Sequence, residues 1–288
     1  MLAQEDRFLL FPIQGTPAEK AGIQPGDVLL AVDGNPVAGR SLQEVVGQVA
    51  GPEGTKVQLR LERSSEPEPL DVDILRGNIN FPSVSRQLAP GGIGYMYISQ
   101  FRDNTGEQVY EALEALKRFD MLALILDLRS NPGGSAEAAS DIAGQFLPPG
   151  SQFLSLEDRH GVRREARIRE DLDRLELGGL PMVVLVNGET VGEAEAVAWV
   201  LQDTGRAVIL GTRTFGKAGT YGFVELSDGS AIYLPTLKWY TPSGKLLGNG
   251  GIQPDITVPY ETETEGLGGE NQFNQAYAYL NERLPPFR

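Results

Sequence analysis

Lys217 lies in Thr214-Phe215-Gly216-Lys217-Ala218-Gly219, a run of small residues that follows an apolar stretch. An amine so placed is the kind a Ser/Lys hydrolase uses as general base, taking the proton from a hydroxyl that attacks a carbonyl. An ammonium at its usual pKa of about 10.4 is no base at neutral pH, so burial among apolar groups must lower it. The other reading of Lys217 is a buried structural lysine paired to a carboxylate. Ser130 and Ser135 flank Gly133-Gly134 and read as turn hydrogen-bonding residues. Thr190 precedes an apolar helical pattern and reads as its N-cap. Glu193 and Glu195 are two apart on that helix, do not face one another, and read as surface or cap charges. His160 sits in a charged loop where solvent exposure is expected.

Composition removes several other chemistries. The 288 residues contain one histidine and no cysteine, so thiol catalysis, disulfides, thiolate metal sites and a zinc site on two histidines are all excluded. No metal or cofactor is expected. A net charge of −14 opposes phosphate binding and docking on anionic lipid, so no nucleic acid is expected as a partner. No stretch reaches the roughly 18 apolar residues needed to cross a membrane. The first residues, Met1-Leu2-Ala3-Gln4-Glu5-Asp6-Arg7, lack the basic head and apolar core of a signal peptide.

Stepping along the chain, 8–13 predicts a short buried strand, and Gly15–Gly22 a one-turn helix ended by glycine. A turn at Pro25-Gly26-Asp27 leads into a strand at 28–32, and Asp33-Gly34-Asn35 signals a hairpin. Ser41 opens a helix with Leu42, Val45, Val46 and Val49 at helical spacing, and 56–61 and 70–75 alternate as strands do. From about residue 92 the elements lengthen. Strands are expected at 94–99, 121–128, 181–186 and 207–210, with helices at 104–119, 136–146 and 193–203. The nearly continuous apolar run 121–128 predicts a strand buried on both faces. Residues 152–177 are charged and show no period. A hairpin over 223–235 closes at Ser227-Asp228-Gly229. The acidic, glycine-rich segment 261–270 is expected to be mobile, and a last helix is expected at 277–284. Alternating strands and helices make this a mixed α/β chain.

The run Gly15–Gly34, Gly-Thr-Pro-Ala-Glu-Lys-Ala-Gly-Ile-Gln-Pro-Gly-Asp-Val-Leu-Leu-Ala-Val-Asp-Gly, resembles the core of a PDZ domain of the bacterial protease type. Such domains bind extended C-termini by adding them to a sheet edge. The resemblance assigns peptide contact to Leu42, Val45, Val46 and Val49. It also implies that the carboxylate-binding loop and groove strand precede residue 8, so the PDZ domain is expected to be truncated at its N-terminal side.

Residues 92–258 resemble the core of the C-terminal processing peptidases, or tail-specific proteases. The match rests on Asp127-Leu128-Arg129-Ser130-Asn131-Pro132-Gly133-Gly134, Val184–Asn187, Leu201–Val208, Thr214–Lys217, Leu226–Ala231, Tyr240–Gly244 and Gly251–Asp255. The resemblance implies a crotonase-like mixed α/β core and a periplasmic or extracytoplasmic Ser/Lys endopeptidase acting near protein C-termini. It divides the chain into a PDZ-like domain at 1–77, a protease-like core at 78–260 and a terminal segment at 261–288. It places the oxyanion site at Gly133 and Gly134, the general base at Lys217, and the nucleophile 25 positions upstream. That position is Gly192, in Thr190-Val191-Gly192-Glu193-Ala194-Glu195, where the family carries Ser-Ala-Ser-Ala-Ser-Glu. The glutamine that orients the lysine falls on Tyr221. With both positions altered, the expectation is a pseudoprotease that keeps a peptide-binding or assembly role toward unfolded or C-terminal segments, as a homo-oligomer or beside an active relative. The alternative is an active serine-type endopeptidase with a displaced nucleophile, Thr190 foremost. Tyr233, Trp239 and Tyr240 are expected to pack in the core, with a cleft lining as the lesser reading.

Overall fold

Strict alternation over Lys56–Glu62 dictates a strand with one buried face, and Val57, Leu59 and Leu61 are all buried. The computed structural model describes residues 1–4, 7–13, 15–77, 82–177, 179–226, 228–248, 250–261 and 270–284, with backbone only at 2–4, 223 and 224. They divide into two compact units, Met1–Phe81 and Pro82–Arg288.

The first unit contains β1 (Leu2–Gln4), β2 (Arg7–Leu10), α1 (Pro17–Lys20), β3 (Asp27–Val32), β4 (Asn35–Pro36), α2 (Leu42–Val49), β5 (Lys56–Glu62) and β6 (Leu70–Leu75). Its sheet runs β1-β2-β3-β5-β6, antiparallel throughout, with β4 on β3. The expected strand at 8–13 is shorter and pairs with an unforeseen edge strand, Leu2 opposite Leu9. Asp33 and Gly34 both take positive φ, as the tight hairpin into β4 requires. Ser41 and Glu44 cap α2 reciprocally, the Ser41 hydroxyl accepting from Glu44 N–H and the Glu44 carboxylate from Ser41 N–H.

The four α2 residues assigned to peptide contact divide by face, and that assignment is corrected here. Val45 is wholly buried and Val49 packs against the same core. They are four apart and share the face turned to the sheet. Leu42 and Val46, also four apart, are the exposed pair.

The second unit contains β7 (Val84–Ala89), β8 (Ile93–Ile98), α3 (Thr105–Arg118), β9 (Ala123–Asp127), α4 (Ala136–Gly144), β10 (Gln152–Glu157), β11 (Arg163–Arg167), β12 (Met182–Val186), α5 (Glu193–Asp203), β13 (Val208–Gly211), β14 (Thr220–Glu225), β15 (Ala231–Tyr240), β16 (Ile256–Thr257) and α6 (Glu270–Asn281). The central sheet runs β16-β13-β12-β9-β8-β7, parallel except for the β7 edge. Its strands are covered on both faces. Leu124, Leu126, Val184 and Val186 meet Leu113, Ile142 and Val197 from α3, α4 and α5. Ile125, Val183 and Leu185 meet Ala276 and Leu280 from α6. A second, antiparallel sheet runs β11-β10-β15-β14. The fold is mixed α/β.

Two expectations shift. The segment 152–177 holds the β10–β11 hairpin. The last helix begins at Glu270 rather than 277 and docks on the sheet. The acidic stretch expected to be mobile falls largely on 262–269, outside the described residues, as does Ser227 of the hairpin turn. Among the described residues no helix is long and apolar enough to cross a membrane.

Candidate active site

Parallel strands deliver their following loops to one end of the sheet, where open α/β sheets build their sites. The loop after β9 is locked from below. Asp127 is buried and accepts from Tyr95 Oη at 2.7 Å and from the Arg129 guanidinium. Burial and the neighbouring carboxylate hold the Tyr95 hydroxyl well above its usual pKa. Asn131, with no exposed surface, donates to Ile98 O at 2.8 Å and accepts from Gly133 N–H at 2.8 Å. Gly134 (φ 138°) runs so close to Phe101 that a Cβ would lie 2.0 Å from the Phe101 carbonyl oxygen, so only glycine fits.

The loop after β12 ties to that one. Asn187 accepts from Ser130 N–H at 2.9 Å, and Val191 N–H donates to Asn131 O at 2.9 Å. It ends at Gly192, the N-cap of α5, with φ 61° and ψ −119°. This is the sharp, positive-φ strand-to-helix turn on which nucleophile elbows present a side chain. Gly192 presents none.

The loop after β13 is held by Glu195. This carboxylate has no exposed surface. It accepts from Gly192 N–H (3.1 Å), Lys217 N–H (2.9 Å), Gly216 N–H (2.7 Å) and the Thr214 hydroxyl. A buried carboxylate is tolerable only with such a full set of donors. The expectation of a surface or cap charge therefore holds for Glu195 only in its cap contact to Gly192. It joins Gly192 and Lys217 through one side chain. Its donors beyond the helix lie 19 to 22 residues away, so no local spacing signals this role.

Lys217 is exposed, not buried, and no ion pair to it is formed among the described residues. Its Nζ lies 5.1 Å from the Tyr221 ring centroid and 5.0 Å from that of Tyr233. The two rings stack at 5.2 Å and 20°. Tyr221, at the expected glutamine position, thus gives the ammonium a ring face rather than a directed acceptor. Tyr233 is half-exposed and outside the core, against expectation, because the 231–236 stretch of β15 is exposed along its length. Trp239 is buried as expected and donates to Thr220 Oγ1 at 3.0 Å. Tyr240 donates to Glu157 at 3.1 Å beneath Arg163.

The glycine turn supplies one amide, not two. Gly133 N–H is consumed by Asn131 Oδ1, which corrects its assignment to the oxyanion site. Gly134 N–H points outward and donates to Glu193 Oε2 at 2.9 Å.

The candidate hydroxyls are all engaged. Thr190 is fully buried and donates to Leu128 O at 2.9 Å while accepting from Asn187 N–H, so it is neither the N-cap nor a nucleophile facing the site. Ser130 donates to Glu189 at 2.6 Å, and Ser135 caps α4 by accepting from Ala138 N–H. His160 accepts from Arg159 Nε at the β10–β11 turn.

Two cavities adjoin the loops. One of about 120 Å³ is lined by Ala136, Ala139, Phe153, Leu156 and Trp239, with Glu193 at its edge. A larger one of about 650 Å³ lies along Gly216, Ala218, Tyr221, Thr236, Lys238 and His160. Among the described residues no cluster could hold a metal ion.

The loops after β9, β12 and β13 bring the glycine turn, Gly192 and Lys217 to one end of a mixed α/β core, in one chain with a small antiparallel-sheet unit. Comparison with known proteins gives the class. Peptidase family S41 matches residues 92–258, and a PDZ domain matches 12–63. The chain is 36% identical over 254 residues to the carboxy-terminal-processing protease of Bartonella bacilliformis, covering 86% of this chain and 57% of that one. It is 33% identical to the carboxy-terminal processing protease CtpA of Bacillus subtilis, covering 86% and 52%. Among solved structures it is similar to a photosystem II D1 C-terminal processing protease, at 31% identity and a TM-score of 0.54, covering 86% of this chain and 66% of that one. The chain belongs to peptidase family S41 and is a homologue of the carboxy-terminal processing proteases. It spans about half the length of the curated relatives it matches.

Proposed function

We propose that this chain is a pseudoprotease of its family, unable to cleave peptide bonds and retaining a role in binding unfolded or C-terminal segments of other proteins. The carrying observation is the backbone at Gly192, which keeps the geometry of a nucleophile elbow and has no side chain to project from it. Supporting it, Lys217 is directed at two tyrosine rings, and the Ser130 and Thr190 hydroxyls donate hydrogen bonds that tie the β9 and β12 loops together. Acyl transfer needs a nucleophile within hydrogen-bond reach of its base. The exposed Leu42 and Val46 of α2 offer apolar contacts to a peptide laid beside the PDZ helix. An extracytoplasmic location is part of the proposal and rests on family resemblance alone.

The test is incubation of the intact chain with unfolded casein and with a fluorophosphonate probe. No cleavage and no adduct are expected. Stoichiometric labelling of any serine or threonine, located by mass spectrometry, would overturn the proposal.

A further inference from the structure

Gly134 N–H is the exposed amide of the glycine turn, the kind of donor with which an acyl-transfer site receives developing negative charge, and its partner Glu193 also lines the small apolar cavity. That amide is taken by Glu193 Oε2, 2.9 Å from Gly134 N. The same oxygen passes so close over Gly133 that a Cβ there would lie 2.5 Å from it. Glu193 directly follows Gly192, so the turn that lacks a hydroxyl carries a carboxylate one residue on. An oxyanion must sit about 2.7–3.1 Å from its donors, which is the shell Oε2 fills. An ionised acceptor binds an amide about twice as strongly as a neutral one, so a peptide carbonyl is the weaker competitor.

We infer that Glu193 is an internal ligand of the anion site, an autoinhibitory contact that keeps the carbonyl or carboxylate oxygen of a bound peptide off Gly134 N–H. The inference rests on the reading of these loops as a remnant acyl-transfer site. The side chain is half-buried and lines the cavity, so rotation about its own bonds would free the Gly134 amide beside that cavity. The ligand class it excludes is a peptide bearing a small apolar residue next to the competing oxygen, since the cavity of about 120 Å³ is walled by alanine, leucine and aromatic side chains.

The experiment follows the Gly134 amide resonance of the intact chain, isotope-labelled, in the wild type, Glu193→Ala and Glu193→Gln. The probes are N-acetyl-trialanine as free acid and as amide. Glu193→Ala should move the Gly134 resonance before any peptide is added. It should tighten the free acid about tenfold or more, read from that resonance, with a smaller gain for Glu193→Gln because a neutral amide oxygen still competes. The amidated probe should gain less than the acid. An unmoved Gly134 resonance in both variants, or equal free-acid affinity in all three chains, would overturn the inference. If Glu193→Ala does not fold, the Glu193→Gln comparison decides. Labelling of the wild type would defeat the proposed function and leave this result standing, so the two failures are distinct.

Discussion

A Cβ built on Gly192 meets no atom within 4 Å, so space for a serine side chain survives. What has changed is what surrounds that space. The lysine nitrogen that would have to take the proton as a neutral amine lies over Tyr221 and Tyr233, and the amide that would hold the oxyanion carries Glu193. Gly192→Ser is therefore expected to fold and stay silent toward a fluorophosphonate. At φ 61° it should cost about 1–3 kcal/mol, measured by denaturant unfolding followed on Trp199 of α5. Adding Glu193→Ala and Tyr221→Gln should bring slow labelling at position 192. Labelling of the single mutant at the rate of the triple would show that these neighbours do not obstruct the site. Position 192 was singled out in the sequence by the resemblance of its block to the family's Ser-Ala-Ser-Ala-Ser-Glu. The Glu193 contact was not, because it joins α5 to a turn 59 residues away and a glutamate at a helix start is ordinarily a cap.

At the scale of elements, legibility followed burial. The helix at 193–203 and the strands 123–127 and 182–186 were readable because packing on defined faces imposes an apolar pattern. Strand β11, Arg163–Arg167, carries three arginines and is largely exposed, and β7 at the edge of the central sheet is exposed along its middle. Such strands form by backbone pairing with a neighbour, which leaves no alternation to find. Other ties are carried by single pairs. In the first unit, Arg63, the residue after β5, grips Asp27 at the start of β3 at 2.7 and 2.8 Å, and Gln24 N–H adds a third donor. The Arg63 hydrogen bonds hold the Asp27 carboxyl below the usual carboxylate range, so its folded-state pKa lies below the unfolded one. Its stabilisation is present above the unfolded value and is lost as pH falls through the folded one. The first unit should therefore weaken below about pH 4, and Asp27→Asn should remove that acid dependence while lowering stability at neutral pH. Hydrogen exchange of β3 and β5 amides between pH 3 and 6 measures this, and equal pH slopes in wild type and variant would refute it.

For the whole molecule, the central sheet buries both faces in a single unit, and its second face has one helical cover. Helix α6 sets Ala276 and Leu280, neither with exposed surface, against Ile93, Ile125, Val183, Leu185 and Leu210. Gln272 of the same helix bonds Val258 O at 2.8 Å and receives Arg129 Nη1 at 3.3 Å, so it also touches the pair that locks the β9 loop. Leu280→Ala should cost about 3 kcal/mol, through lost transfer energy and a cavity under a sheet too rigid to collapse. Both tryptophans, Trp199 and Trp239, belong to the second unit and none to the first. Tryptophan fluorescence therefore reports this loss selectively, while exchange protection of β3 and β5 amides in the first unit should stay as in the wild type. A matching fall in both signals would mean that the two units unfold as one. A loss under 1 kcal/mol would mean that α6 is not the cover on which that face depends.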